Sequence, residues 1–186
     1  MRFLDTPLQG IILIEPDVHE DARGFFMELY HTDKYAKAGL PSRFVQDNFA
    51  KSVYGALRGL HYQRSHPQGK LVTAMEGTIF DVAVDIRQES PSFGQWYGVE
   101  LSAENKRQVY IPPGFAHGYC VLSKTASVMY KCTDFFVPDD ERGIIWNDPA
   151  VNVSWPISAP LLSSKDQLHG TLAQSLPQLS DSAKER

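Results

Sequence analysis

A succession of short segments with β-strand patterning, against a single stretch that reads as a helix, constrains this chain more than any other feature. The runs IILIE (11–15), FFMELY (25–30), RFVQDNFAKS (43–52), KLVTAME (70–76), TIFDVAVDI (78–86), WYGVEL (96–101), RQVYI (107–111), GYCVL (118–122) and SVMYKCTDFF (127–136) are rich in β-branched and aromatic residues. Turn residues separate them, as in EGT, ESPSFG, SAENK and IPPG. Many short strands at close spacing predict an all-β sandwich or barrel. The helical stretch is expected at about residues 32–39, capped by Thr32 or Asp33 and stopped by Gly39 and Pro41. With 186 residues and no linker rich in Gly and Ser, one domain over residues 1–177 is expected. Residues 178–186 read as a frayed polar tail.

Composition narrows the function. A net charge of −4 argues against general nucleic-acid binding, which needs a basic stripe. No apolar run approaches the length of a membrane helix, and MRFLDTPLQG lacks the pattern of a secretory signal. Cys120 and Cys132 lie in apolar runs and are expected to be buried thiols of a cytoplasmic protein.

Polar residues placed inside strand-like runs mark the chemistry. His61, Lys70, His117 and Tyr130 fall in RGLHYQ, GKLV, PPGFAHGY and VMYKCTD. Alternate residues of a strand share a face, so several strands can aim such groups into one pocket. A base, a cation and a phenol together suit proton removal beside a carbonyl, enolate stabilisation and proton return. The phase of β-patterned KLVTAME places Lys70 with Val72 and Ala74, which points the ammonium inward. A carboxylate on the second nitrogen of His61 would fix its tautomer, and Asp166 in SSKD suits that role.

In TIFDVAVDI, Phe80, Val82, Val84 and Ile86 share the expected core face. Asp81 and Asp85 share the other, facing solvent or a polar cavity, where His117 could pair with Asp81. Arg58 and His61 are three apart, so a regular strand would send them to opposite faces. Either Gly59 marks a bulge or the two serve different parts of a site. Arg23 with Glu28, and Gln46-Asp47-Asn48, read as a rim for a polar ligand.

Pro112-x-Gly114-x-x-His117 is similar to the second motif of the cupin jelly rolls. The matching first motif reads His61-Tyr62-Gln63 and lacks its second histidine, and strand parity sets His66 opposite His61. A metal-free pocket is therefore expected.

Taken in order, DARGFFMELY, QDNFAKS, LRGLHYQ, QGKLV, FDVAVDIR, FGQW, LSAENKRQVYIPPGFAHGY, YKCTD, GIIWNDP and LSSKD resemble the dTDP-4-dehydrorhamnose 3,5-epimerase family over about residues 2–166. The resemblance implies a cupin-like jelly roll with one or two short helices, acting as a homodimer without cofactor or metal. The implied reaction is epimerisation of dTDP-4-dehydro-6-deoxy-D-glucose at C3 and C5, towards L-rhamnose. The family's base falls on His61 with Asp166 as partner, its proton donor on Tyr130 and its enolate-supporting lysine on Lys70. Substrate-binding positions fall on Arg23, Glu28, Gln46, Asp47, Asn48, Arg58, His117, Glu141 and Lys165, and Asp81 supports His117. Phe135 and Phe136 stand where many members carry tyrosines. Phe136 retains a face that can stack on thymine, whereas Phe135 bears on the balance between C3 and C5. A single-carbon epimerase or a ketoisomerase on a related dTDP-keto-sugar is the alternative. A sugar-binding cupin without catalysis is the third.

Overall fold

A computed structural model describes residues 1–175. The described residues form thirteen strands: β1 (Arg2–Asp5), β2 (Ile12–Glu15), β3 (Val18–Asp21), β4 (Gly24–Met27), β5 (Gln46–Val53), β6 (Leu57–Gln63), β7 (Lys70–Glu76), β8 (Thr78–Asp85), β9 (Trp96–Ser102), β10 (Gln108–Ile111), β11 (Phe115–Val121), β12 (Thr125–Cys132) and β13 (Glu141–Gly143). A six-stranded sheet has the order β1-β2-β10-β7-β12-β5. A five-stranded sheet, β13-β6-β11-β8-β9, faces it, and β3-β4 stands apart as a hairpin. This is the cupin-like jelly roll. Of the strand segments expected from sequence, KLVTAME fills β7 from end to end. β1, β3 and β13 are short strands of four, four and three residues, too brief to show alternation.

The helix α1 spans Thr32–Lys37, and neither Thr32 nor Asp33 caps it. His31 occupies the N-cap and makes no side-chain capping bond. Gly39, at φ +80°, ends it as expected, because a left-handed residue costs glycine little. Tyr35 on α1 is fully buried beside Ile14, Leu71 and Tyr110.

Both faces of the central strands are covered, which explains their apolar sequence. Val72, Ile79, Ala83, Val109, Ile111 and Val128 meet between the sheets. On the outer side of the five-stranded sheet, Leu60, Val82, Val84 and Ala116 are sealed by Ile144, Val151 and Leu172 from the C-terminal segment. Each such valine or leucine contributes about 1.5–3 kcal/mol of burial. The expectation for β8 is thus half right: both of its faces are core. Asp81 meets His117 as anticipated, but Asp85 faces neither solvent nor cavity. Its carboxylate is enclosed by Arg87 Nε at 2.9 Å and the Ser90 and Ser92 hydroxyls, both at 2.6 Å. Cys120 and Cys132 are buried free thiols. The tail expected at 178–186 lies outside the described residues. Among the described residues no helix is long and apolar enough to cross a membrane.

Candidate active site

One end of the space between the sheets is open and forms a cavity of about 810 Å³. The strand period of two selects what enters it. On β5, Gln46 and Asn48 line the cavity, with Gln46 Nε2 donating to Asn48 Oδ1 at 3.0 Å. Lys70 opens β7 and Tyr130 lies on neighbouring β12, where Cys132 pairs with Lys70 and Tyr130 with Val72. Tyr130 also pairs with Asn48 on β5, the strand on its other side. Asn48, Tyr130 and Lys70 therefore share the wall made by the six-stranded sheet.

Arg58, His61 and His117 form the opposite wall. The β6–β11 register pairs His61 with His117 but Arg58 with Tyr119, three residues against two. The extra residue is a bulge. Gly59 provides it at φ +121°, and a Cβ there would stand 2.6 Å from Gly118 Cα and 2.7 Å from the His117 carbonyl oxygen. Only glycine fits this close approach. The bulge resolves the parity problem and turns both Arg58 and His61 into the cavity.

Hydrogen bonds then orient these groups. His61 Nε2 lies 2.5 Å from Asp166 Oδ1. With Nε2–H donating to the carboxylate, the neutral ring keeps its lone pair on Nδ1. That nitrogen lies 3.7 Å from Glu141 Oε1, and Glu141 is itself ion-paired to Lys165. Asp166 N donates to Ser163 Oγ at 3.1 Å, which anchors the turn that carries the carboxylate. His117 Nε2 contacts Asp81 Oδ2 at 2.9 Å, and Arg58 Nε donates to Ser52 Oγ at 3.0 Å.

Burial sets the electrostatics. It lowers the pKa of Lys70, against the attraction of Cys132, Glu141 and Asp81. It likewise lowers that of His117, although Asp81 opposes the change. Burial pushes the Tyr130 phenol up to about 12, so it stays protonated at neutral pH. Burial alone would raise Asp166, but hydrogen bonds to His169, His61 and Ser163 outweigh it and hold the carboxyl well below its ordinary range.

Of the residues expected from sequence, Gln46, Asn48, Arg58, His61, Lys70, His117, Tyr130, Phe136, Glu141, Lys165 and Asp166 line this cavity, with Asp81 behind His117. Three do not reach it in this chain. Asp47 lies on the other face of β5 from Gln46 and pairs with Lys131 at 2.9 Å, as strand parity dictates. Arg23 bonds to Asp21 at the tip of the β3–β4 hairpin, and Glu28 pairs with Lys34 at 2.8 Å. Sequence reasoning passed over Ser163 and His169. Their signals were Ser163 three residues before Asp166, a capping spacing, and His169 three residues after it on a 3-10 turn.

His61, Asp166 and His169 bring ligand-type atoms within 4.8 Å of one another. Zinc bonds of about 2.0–2.1 Å would set tetrahedral ligand atoms roughly 3.3 Å apart. The 2.5 Å between His61 and Asp166 suits a shared proton better than a shared ion. The arrangement can accept a proton at His61, steady an oxyanion with Lys70 and Arg58, and donate a proton from Tyr130.

The family model for dTDP-4-dehydrorhamnose 3,5-epimerase matches residues 5–174. A dTDP-4-dehydrorhamnose 3,5-epimerase of Pseudomonas aeruginosa is 57% identical over 169 residues, covering 90% of this chain and 93% of the relative. One from Shigella flexneri is 52% identical over 168 residues, covering 89% and 93%. The crystal structure of a dTDP-6-deoxy-D-glucose-3,5-epimerase from Legionella pneumophila, in complex with dTDP-4-keto-L-rhamnose, superposes with a TM-score of 0.90 at 49% identity, covering 92% of this chain and 93% of that one.

Proposed function

Because the chain belongs to the dTDP-4-dehydrorhamnose 3,5-epimerase family, we propose that this cavity performs the epimerisation with His61 as base, Lys70 as the cation on the enolate and Tyr130 as acid. The enzyme epimerises dTDP-4-dehydro-6-deoxy-D-glucose at C3 and C5, giving dTDP-4-dehydro-L-rhamnose for L-rhamnose synthesis. One observation carries the assignment of roles: the base stands on the five-stranded sheet and the phenol on the six-stranded sheet facing it. A sugar ring between them loses a proton from one face and regains one on the other, which is inversion.

The 4-keto group acidifies both neighbouring C–H bonds. A mismatch of about 10 pK units against imidazole still corresponds to roughly 14 kcal/mol. Positioned charge must supply much of that, and one good donor on a developing oxyanion contributes about 3–4 kcal/mol. Lys70 takes this role, helped by Arg58 from the facing wall. Asp166 holds the His61 tautomer and balances the imidazolium as it forms. Gln46, Asn48, His117, Phe136, Glu141 and Lys165 bind the substrate, with Phe136 offering its ring to the thymine.

The chain acts as a homodimer in the cytoplasm. The exposed Phe25 and Phe26 on the β3–β4 hairpin, beside Met75, support a partner on that side. Arg23 and Glu28 lie at the two ends of the same segment, so dimerisation is the route by which they would meet a substrate. Two reduced thiols and a nucleotide-sugar substrate suit a reducing compartment. The test of function is incubation with dTDP-4-dehydro-6-deoxy-D-glucose and NMR of the product. Inversion at both C3 and C5 is expected. A product inverted at one carbon only, or with the carbonyl moved, overturns the proposal in favour of a single-carbon epimerase or a ketoisomerase.

A further inference from the structure

His61 is not the only imidazole on Asp166. His169 Nε2 stands 3.5 Å from the same Oδ1 that His61 contacts at 2.5 Å. The two rings meet edge to face, with centroids 5.5 Å apart and planes at 78°. His169 Nε2 is sealed from water, and at 3.5 Å from Asp166 it makes no geometrically formed hydrogen bond to any of the described residues. A buried ring nitrogen in that state is costly unless it engages the carboxylate beside it.

The backbone holds the ring there. Gly143 on β13 lies directly against it, and a Cβ at that position would come 2.3 Å from His169 Nε2. The next residue, Gly170, bridges Ile144, and its carbonyl accepts from Ile145 N at 2.8 Å. β13 pairs with β6, placing Gly143 opposite His61. One short strand therefore fixes both the base and the second imidazole. Space filling alone would favour an apolar side chain here rather than one with a buried polar atom.

We infer that His169 is a positioning residue for the base: it donates Nε2–H to Asp166 Oδ1 beside His61 and so keeps the carboxylate in line with His61 Nε2. Asp166 has two oxygens and a rotatable χ2, and without His169 only His61 and Ser163 hold that rotation. A second donor on the same oxygen restricts it. His61 then keeps the tautomer whose free nitrogen, Nδ1, is the one left to take the proton. His169 touches no substrate in this scheme. It acts on the proton-removal step through Asp166, while the groups that bind the nucleotide lie elsewhere in the cavity.

This inference rests on the reading of His61 as the base, and the experiment separates the two. Three variants, H169F, H169Q and H61N, are compared with wild type in D₂O by deuterium uptake at C3 and C5 of the substrate, together with kcat, KM and affinity for dTDP. Phenylalanine keeps the ring volume and removes the donor; glutamine retains an N–H. H169F is expected to lower kcat and exchange about tenfold or more, the scale of lost outer-shell partners. KM and dTDP affinity should stay within about twofold, and H169Q should recover most of the loss. Wild-type exchange in H169F, or equal impairment of H169F and H169Q, overturns the inference while leaving His61 as base. Undiminished exchange in H61N overturns the base assignment itself. A measurement on the unaltered enzyme stands beside these: ¹⁵N NMR of the His169 ring at neutral pH should find the proton on Nε2, and an unprotonated Nε2 refutes the inference whether or not the variants fold.

Discussion

Replacing Lys70 with Met should make the enzyme slower and the fold more stable at once. Lys70 is partly buried in the cavity wall, and burial lowers its pKa despite Cys132, Glu141 and Asp81 nearby. The sign of the linkage follows. The folded chain binds the ammonium proton less tightly than the unfolded chain does, so the charged lysine costs stability at neutral pH, and that cost fades only as pH rises through its lowered pKa. Methionine has similar length and no charge, and it removes the cost. The enolate meanwhile loses a charged donor contributing about 3–4 kcal/mol, which at 1.36 kcal/mol per decade is about 10²–10³ in kcat. KM should change far less, because the interaction is strongest in the transition state. Steady-state kinetics and a thermal melt of K70M test both halves. Turnover within tenfold of wild type, or a lowered melting temperature at pH 7, refutes the reasoning.

Tyr130→Phe should retain deuterium exchange in D₂O but form little epimerised product, since the wall facing His61 then has no phenol held at a pKa of about 12; normal epimerisation would assign the donor elsewhere. Burial alone would raise Asp85, but hydrogen bonds from Arg87, Ser90 and Ser92 outweigh it and hold its pKa at about 2, against an ordinary 3.8. It therefore contributes about 2 kcal/mol of stability above pH 4, lost as pH falls from about 4 to 2; an Asp85→Asn variant whose acid unfolding curve overlays that of wild type in this window would show otherwise. Gly59→Ala should cost about 3 kcal/mol or more, or roughly 6–12 °C of melting temperature, because its Cβ would press on Gly118 Cα at 2.6 Å. A melt within 2–3 °C of wild type would mean that the bulge relaxes easily.

The legible part of this molecule is what strand periodicity controls. KLVTAME reads as a strand with Lys70 inward, and it is one. His117 and Asp81 were matched from parity and turn chemistry, and they meet at 2.9 Å. His61 and Asp166, 105 residues apart in the chain, were joined through chemistry and resemblance, because no local rule spans that distance. Parity also fixes Asp47. Asp47 sits one residue from Gln46 and from Asn48, so it had to face the other way, and it pairs with Lys131. Where period two breaks, the sequence offers alternatives without deciding. Arg58 and His61 share a cavity only because Gly59 adds a residue to β6, and the partner that makes glycine necessary is Gly118 on β11. The both-sided burial of β8 was hidden for a similar reason, since the covering residues Ile144, Val151 and Leu172 come from far along the chain. The role of His169 is not legible in the sequence because it depends on where Asp166 points.

If His61 removes the proton from the substrate, deuterium uptake from solvent reports that step. Wild-type enzyme and His61→Asn are incubated with dTDP-4-dehydro-6-deoxy-D-glucose in D₂O, and NMR follows C3 and C5 with time. Asparagine keeps the polarity of the site and a hydrogen bond to Asp166 but cannot accept a proton at neutral pH. Deuterium at both carbons is expected with wild type and none with the variant, while both bind dTDP equally. Exchange at either carbon at the wild-type rate in a folded His61→Asn enzyme would contradict it.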